Sequence, residues 1–169
     1  MFKALRNLWV GGNTKEIVLD NVRRNNGIVF GATASQFHMG ANARPTKDVD
    51  AFVPYPQRVA KQTEAQLDKN WGADQFYTKP AKHRGTWKVK NKGWDGVRGT
   101  ADDQTVADFS PMPKPLPPHS MHTNRGIKVV NLSHVKGTKK KSLSDKRFKF
   151  RHAKDQEDVD RIDFYGNRL

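Results

Sequence analysis

The chain has 169 residues, no cysteine and a formal net charge of +14, with 31 Lys and Arg against 17 Asp and Glu. The absence of cysteine excludes disulfides, thiolate catalysis and thiolate zinc sites, and it is compatible with a reducing compartment. No apolar run approaches the roughly 18 residues of a membrane-spanning helix, so no membrane association is expected. The charge, together with a hydrophobic content of only 35%, predicts a small core and a cationic surface suited to polyanions such as nucleic acid.

The first 12 residues combine two cations with spaced apolar residues. They are too short and too interrupted for a secretory signal, and they lack the serines usual in a mitochondrial presequence. We therefore expect residues 1–12 to be an N-terminal docking segment of a cytoplasmic protein. Residues 13–169 are predicted to form a single domain.

A helix is predicted to start at Asn13, whose side chain caps it while Glu16 reaches back to the cap. Two arginines and then Gly27 indicate its end. Residues 28–30 are predicted to form a short buried strand. Gly31 then turns the chain into a short helix that ends near residue 40.

Asp48 and Asp50 belong to the next predicted strand, where alternate side chains share a face. Val49, Ala51 and Val53 would then point together into a core. Two carboxylates on one face repel each other, but a divalent cation reverses that balance, and hard oxygen ligands suit Mg²⁺. An exposed strand edge that carries Asp-x-Asp by chance is the alternative that the pattern leaves open.

The rest of the chain mixes helices and strands without an internal repeat. The predicted elements are a polar helix over 57–70, strands at 76–77, 86–90 and 105–109, a loop or wide hairpin over 91–100, a proline-rich connection over 111–118, a strand over 127–130, and helices from Ser133 and from Lys154 to about Tyr165. This order predicts an α+β fold with a mixed β-sheet flanked by helices.

The order strand, glycine turn, short helix, Asp-x-Asp strand and distal acid resembles the nucleotidyltransferase superfamily, the polymerase-beta-like fold. It is most similar to the small branch of abortive-infection toxins and minimal nucleotidyltransferases, which ends in basic helices. The matching motifs are Phe30-Gly31-Ala32, Arg44-x-Thr46-x-Asp48-x-Asp50, Val106-Ala107-Asp108, the strand that leads to Lys136 or Lys139, and Lys154-Asp155-Gln156-Glu157-Asp158. Ala32 departs from the Gly or Ser of that branch, and the helix that carries Lys139 is more polar than usual.

This resemblance implies that Asp48, Asp50 and Asp108 hold two Mg²⁺ ions with a nucleoside triphosphate, and that Asp108 helps to activate the attacking hydroxyl. The residues implied to contact the nucleotide are Gly31, Ala32, Thr33, Ser35, Lys139 and Lys154. The implied reaction transfers a nucleotide to a polyanionic acceptor, for which RNA is expected. An antitoxin is one partner that this branch would imply.

Residues 136–154 form a basic stretch in which Phe148 and Phe150 alternate with cations, a composition that suits phosphates and bases. The predicted nucleic-acid-binding residues are Lys136, Lys140, Lys141, Lys146, Arg147, Lys149 and Arg151. A solvated basic face is the alternative for any single one of them. The alternative for the whole protein is a non-catalytic, nucleic-acid-associated structural protein of a virion or ribosome that retains the fold.

Overall fold

A computed structural model describes residues 2–122 and 125–168, with side chains described for 13–122 and 125–167. The chain forms two compact units. Residues 1–27 with 47–112 make the first, which we call the aspartate unit, and residues 28–46 with 113–169 make the second, which we call the basic unit. The single domain expected over 13–169 stays a prediction.

The α-helices are α1 (Phe2–Arg24), α2 (Gly31–Met39), α3 (Pro56–Trp71), α4 (Leu132–Ser144) and α5 (His152–Tyr165), and the strands are β1 (Ile28–Val29), β2 (Val49–Val53), β3 (Phe76–Pro80), β4 (Trp87–Asn91), β5 (Gln104–Pro111), β6 (His119–His122) and β7 (Ile127–Val130). Short 3₁₀ helices cover Gly40–Asn42, Lys146–Arg151 and Gly166–Arg168. No helix in the described part of the chain is long and apolar enough to cross a membrane.

In the aspartate unit the strand order is β3-β4-β5-β2, with β2 and β5 parallel and the other neighbours antiparallel. Val49, Ala51 and Val53 of β2 are buried and alternate with half-buried residues, as the sequence predicted. Helix α3 buries Val59, Thr63 and Leu67, which follow one another at a spacing of four residues and so share one helical face. The core of this unit therefore lies between one face of its mixed sheet and helices α1 and α3.

In the basic unit β7 pairs with β1 in parallel and with β6 in antiparallel orientation. The predicted fold class, α+β with mixed strand pairing and flanking helices, is confirmed. Four lysines lie on α4, whereas α5 carries five acids against one lysine and one arginine. Strand β6 was not predicted, because His119-Ser120-Met121-His122 shows no apolar alternation and the strand bonds to β7 alone.

Helix α1 begins at Phe2, so the helix start predicted at Asn13 is wrong. The helix continues through Gly11 and Gly12. A glycine costs a helix only about 1 kcal/mol relative to alanine, which is too little to end a helix on its own. The docking role expected for residues 1–12 concerns side chains outside the described residues and stays a prediction.

A buried ion cluster holds the helices of the basic unit together. Lys139 Nζ on α4 lies 2.9 Å from Asp155 Oδ1 and 3.1 Å from Asp158 Oδ2 on α5. Arg44 adds a two-pronged contact, with Nε and Nη2 at 2.7 and 3.1 Å from the two oxygens of Asp158. Ser142 Oγ donates to Asp155 Oδ2 at 2.6 Å. These contacts compensate the loss of water around two fully buried carboxylates.

The environment of Asp155 favours its charged form. Burial acts to raise the pKa of Asp155, but the hydrogen bonds from Ser142 and Lys139 outweigh burial and hold the pKa below its usual value of 3.8. A carboxyl whose pKa is lower in the folded than in the unfolded state stabilises the fold above the unfolded-state pKa. Its contribution is lost as the pH falls through the folded-state value.

Replacing Asp155 by Asn is expected to lower the free energy of unfolding by about 3 kcal/mol at pH 7, because one partner of a buried ion pair is removed. The difference from wild type should shrink below about pH 4, where the unfolded-state carboxyl takes up a proton. Urea unfolding at pH 7 and pH 3 measures both effects. Asp160→Asn, which alters an exposed carboxyl on the same helix, is the matched control. Equal losses in the two variants would contradict the role given to the cluster.

Candidate active site

Three carboxylates converge where β2 runs beside β5 in the aspartate unit. The Cα atoms of Asp50 and Asp108 are direct partners in the parallel register, and Asp48 immediately precedes β2. One oxygen from each of these three residues lies within 4.8 Å of the other two. All three residues are half-buried. The structure thus brings together the three acids that the sequence singled out.

The carboxyl of Asp108 sits in a poorly compensated environment. Burial raises its pKa above the usual value of 3.8, the Lys88 ammonium acts to lower it, and the charge of Asp48 raises it further. Lys88 Nζ lies 3.5 Å from Asp108 Oδ1, which accepts no hydrogen bond in the described part of the chain. An ionised Asp108 therefore costs stability in the absence of a further cation.

This donor set fits a hard divalent cation. Three carboxylates offer the oxygen ligands that Mg²⁺ prefers, and one of their oxygens is buried without a hydrogen-bond donor. No other group of three Asp, Glu or His side chains comes as close together among the described residues. The same fit follows from the electrostatics, because a bound cation would relieve the repulsion between the acids.

Lys88 is a site residue that sequence reasoning missed. It is the antiparallel partner of Asp108 on β4, and its charge is the largest influence that favours ionisation of that carboxyl. His83 adds a smaller influence in the same direction. The strand of Lys88 was predicted correctly, but the register that sets it opposite Asp108 has no local signal in the sequence.

The glycine turn predicted to contact phosphate lies in the basic unit. Gly31 adopts a φ of 62°, a left-handed conformation that favours glycine, and α2 begins there. Ala32, Thr33 and Ser35 are buried. Ser35 Oγ makes no hydrogen bond within the described residues. Gly31 therefore turns the chain into α2 as predicted, while the hydroxyls of Thr33 and Ser35 are buried.

The two lysines predicted to contact the triphosphate have different surroundings. Lys154 is exposed on α5 and forms no ion pair with a described residue. Lys139 is buried in the ion cluster with Asp155 and Asp158. To bind a phosphate, Lys139 would have to give up two carboxylate contacts.

Most of the cations predicted to bind nucleic acid are on the surface of the basic unit. The exposed members are Lys140, Lys141, Lys146, Arg147, Lys149 and Arg151. Lys136 is half-buried and pairs with Asp163, and Arg147 pairs with Asp145. The members that form no ion pair with a described residue are Lys140, Lys141, Lys146 and Lys149. These four lysines, which we call the free lysines, are available to bind an anion.

No protein-family profile and no curated protein matches the chain. Several solved structures do. The Megavirus polyadenylate synthase aligns with 93% of this chain and 32% of its own, at 15% identity and a TM-score of 0.63. JHP933 from Helicobacter pylori aligns with 91% of this chain and 65% of its own, at 13% identity and a TM-score of 0.57. A candidate nucleotidyltransferase from H. pylori aligns with 78% of this chain and 56% of its own, at 12% identity and a TM-score of 0.52.

These likenesses, together with the strand pairing and the converging acids, show that the chain has a nucleotidyltransferase-like fold. The resemblance suggested by its motifs is confirmed at the level of the fold. The chain spans about a third of the length of the Megavirus enzyme and less than two thirds of the other two proteins.

Mg²⁺ is expected to stabilise the protein through the three acids. At a free concentration of 100 times Kd, the gain in unfolding free energy is about 2.7 kcal/mol, and each kcal/mol raises the Tm of a chain of this size by about 2–4 °C. Asp108→Asn should abolish the gain. The same change should raise the Tm of the metal-free protein at pH 7, because a pKa raised by folding means that the charged carboxyl destabilises the fold above that pKa.

Thermal unfolding in EDTA and in excess Mg²⁺ measures both effects. Asp160→Asn on α5 serves as the control and should behave like wild type. A Mg²⁺-dependent shift that survives Asp108→Asn would show that the ion binds elsewhere.

Proposed function

We propose that this protein is a nucleotidyltransferase that uses a divalent metal to transfer a nucleotide from a nucleoside triphosphate to RNA. The observation that carries the proposal is the convergence of Asp48, Asp50 and Asp108 within 4.8 Å in a chain with this fold. Carboxylates that repel one another and lack full compensation are typical of sites that bind a cation during catalysis.

The acids have distinct roles in this proposal. Asp48 and Asp50 would hold metal together with the triphosphate, and Asp108 would share a second ion. Two bound Mg²⁺ ions would supply charge neutralisation for the phosphates during transfer. The acceptor hydroxyl oxygen forms a bond to the α-phosphorus, the α–β phosphoanhydride bond breaks, and pyrophosphate leaves. Asp108 is proposed to accept the hydroxyl proton as general base.

In the basic unit we propose phosphate contacts from the backbone of the turn at Gly31 and Ala32 and from Lys154, whereas contacts from the buried hydroxyls of Thr33 and Ser35 stay predictions. The first N–H groups of a helix lack intrahelical partners and carry partial positive charge, which suits an anion at the start of α2. A phosphate contact from Lys139 stays a prediction. Its ion pairs with Asp155 and Asp158 favour a positioning role for α4 and α5.

The second candidate function is that of a nucleic-acid-associated structural protein of a virion or ribosome. The free lysines favour it, because exposed, unpaired cations bind a phosphate backbone without any chemistry. An antitoxin or assembly partner, like the cytoplasmic location, stays a prediction. An assay of nucleotide transfer distinguishes the two candidate functions.

Incubation with each of the four radiolabelled triphosphates, Mg²⁺ and RNA acceptors, tRNA included, is expected to label RNA with at least one nucleotide. Asp50→Asn should lower labelling by more than about 100-fold. Loss of a residue that only orients a metal ligand costs up to about 100-fold, and loss of a ligand itself should cost more. Asp160→Asn should label RNA like wild type. Gel analysis measures the product, and circular dichroism confirms that each variant is folded.

Equal labelling by Asp50→Asn and wild type would refute the assignment of the site. No labelling by wild type with any acceptor would favour the structural function.

Nucleic-acid binding is expected under both functions and should depend strongly on salt. Changing Lys140 and Lys141 together to Gln should weaken binding and reduce the slope of log K against log salt by about 0.7–0.9 for each phosphate that is no longer neutralised. Changing Lys61 and Lys69 on α3 to Gln alters the net charge equally and is the matched control. Affinity for a short RNA and a DNA duplex would be measured across a salt series. Equal effects of the two double variants would show that net charge, not this surface, drives binding.

A further inference from the structure

Phe150 is the most exposed large apolar side chain in the described part of the chain, at 86% of its full surface. Leaving such a ring in water forgoes the stabilisation that burial would provide. The ring makes no aromatic or cation–π contact with a described residue. Folding of the unit therefore does not account for its position.

The segment that carries Phe150 is nevertheless well held. It is a 3₁₀ segment, Lys146–Arg151, that is kinked at Phe148, and its start is capped by Asp145 accepting from Arg147 N at 2.9 Å. At its other end, a ring nitrogen of His152 lies 2.9 Å from Ser142 O and 3.1 Å from Asp145 O. Hydrogen bonds at both ends thus fix the backbone that presents the ring.

The other aromatic ring of the segment is occupied. Phe148 is half-buried, and the guanidinium of Arg147 lies 5.8 Å from the centroid of its ring. Phe150 alone in this segment offers free ring faces. Its neighbours in sequence are Lys149, which is exposed and forms no ion pair with a described residue, and Arg151, which is exposed but pairs with Asp155 at 3.1 Å.

We propose that Phe150 stacks on an unpaired base and gives the basic surface a preference for single-stranded over duplex nucleic acid. This inference rests on the nucleic-acid binding proposed above and specifies its substrate. A duplex keeps its bases stacked on one another, whereas a single strand presents base faces to an aromatic side chain and phosphates to neighbouring cations. Lys146 and Lys149, two of the free lysines, supply that charge within the same segment.

Charge complementarity selects this occupant. A second apolar protein surface would match the ring but not Lys146 and Lys149, the exposed lysines of the same segment. A strand with a negative charge at every nucleotide and a stacking face at every base matches both.

Phe150→Ala in the full chain tests the proposal. Fluorescence anisotropy would give the affinity for a 12-nucleotide unstructured RNA and for a 12-base-pair duplex in the same salt. We expect affinity for the single strand to fall about tenfold, the effect of losing one stacked base, with less than a twofold change for the duplex and an unchanged salt slope. Phe164→Ala on α5, where the ring is 56% exposed, is the matched control and should change neither affinity.

Phe150→Trp adds a direct readout of stacking. This variant should bind the single strand at least as well as wild type, and the added tryptophan fluorescence should be quenched by the single strand but not by the duplex. A structural effect of position 150 would not produce that difference.

The outcomes separate this inference from the function on which it rests. Wild-type protein that binds neither nucleic acid would overturn both, and would point to an acidic protein partner for this surface. Wild-type binding that Phe150→Ala leaves intact, or weakens equally for single strand and duplex, would overturn the stacking inference alone.

Discussion

The register between β2 and β5 sets Asp50 beside Asp108, and the candidate site depends on this one backbone constraint. The flanking residues Ala51, Ala107 and Phe109 are fully buried, so the strands cannot slip without exposing core side chains. Hydrophobic packing on the other face of the same strands thus keeps the acids close together despite their mutual repulsion. Lys88, at 3.5 Å, offsets only part of it.

The basic unit contains buried carboxylates whose charge, unlike that of the three acids, is fully compensated. Asp155 and Asp158 are more deeply buried than the three acids of the aspartate unit, yet Lys139 and Arg44 bind them at short distances. Residue type and burial alone therefore do not distinguish a structural carboxylate from a reactive one. The distinction lies in whether cations and hydrogen-bond donors of the protein already satisfy the charge.

Much of the candidate site was predictable, because it follows from local patterns. The alternation in residues 48–53 placed Asp48 and Asp50 on one face, and the resemblance pointed to Asp108. The partners of these residues were not predictable. Lys88 faces Asp108 through a strand register, and Lys139 meets Asp155 through helix packing. Both contacts depend on tertiary structure, and no regular spacing of residues in the sequence indicates them.

The elements show the same division. The sequence predicted α3, β2 and β7, whereas β6 and the start of α1 escaped detection. Pairing with a neighbouring strand contributes most of the stability of a short polar strand such as β6, so its own side chains need not signal it. In α1 the pattern of Asn13 and Glu16 indicated a helix start, but the helix already runs through Gly11 and Gly12, whose cost to a helix is small.

The buried ion cluster has an evolutionary consequence. Its members come from three separate stretches of the chain, with Arg44 ahead of β2, Lys139 on α4, and Asp155 and Asp158 on α5. Loss of any one would leave an opposite charge without its partner in the interior. These residues can therefore be replaced only together, for instance by apolar residues of similar total volume. Correlated change at these positions would therefore trace divergence among distant relatives whose overall sequences no longer align.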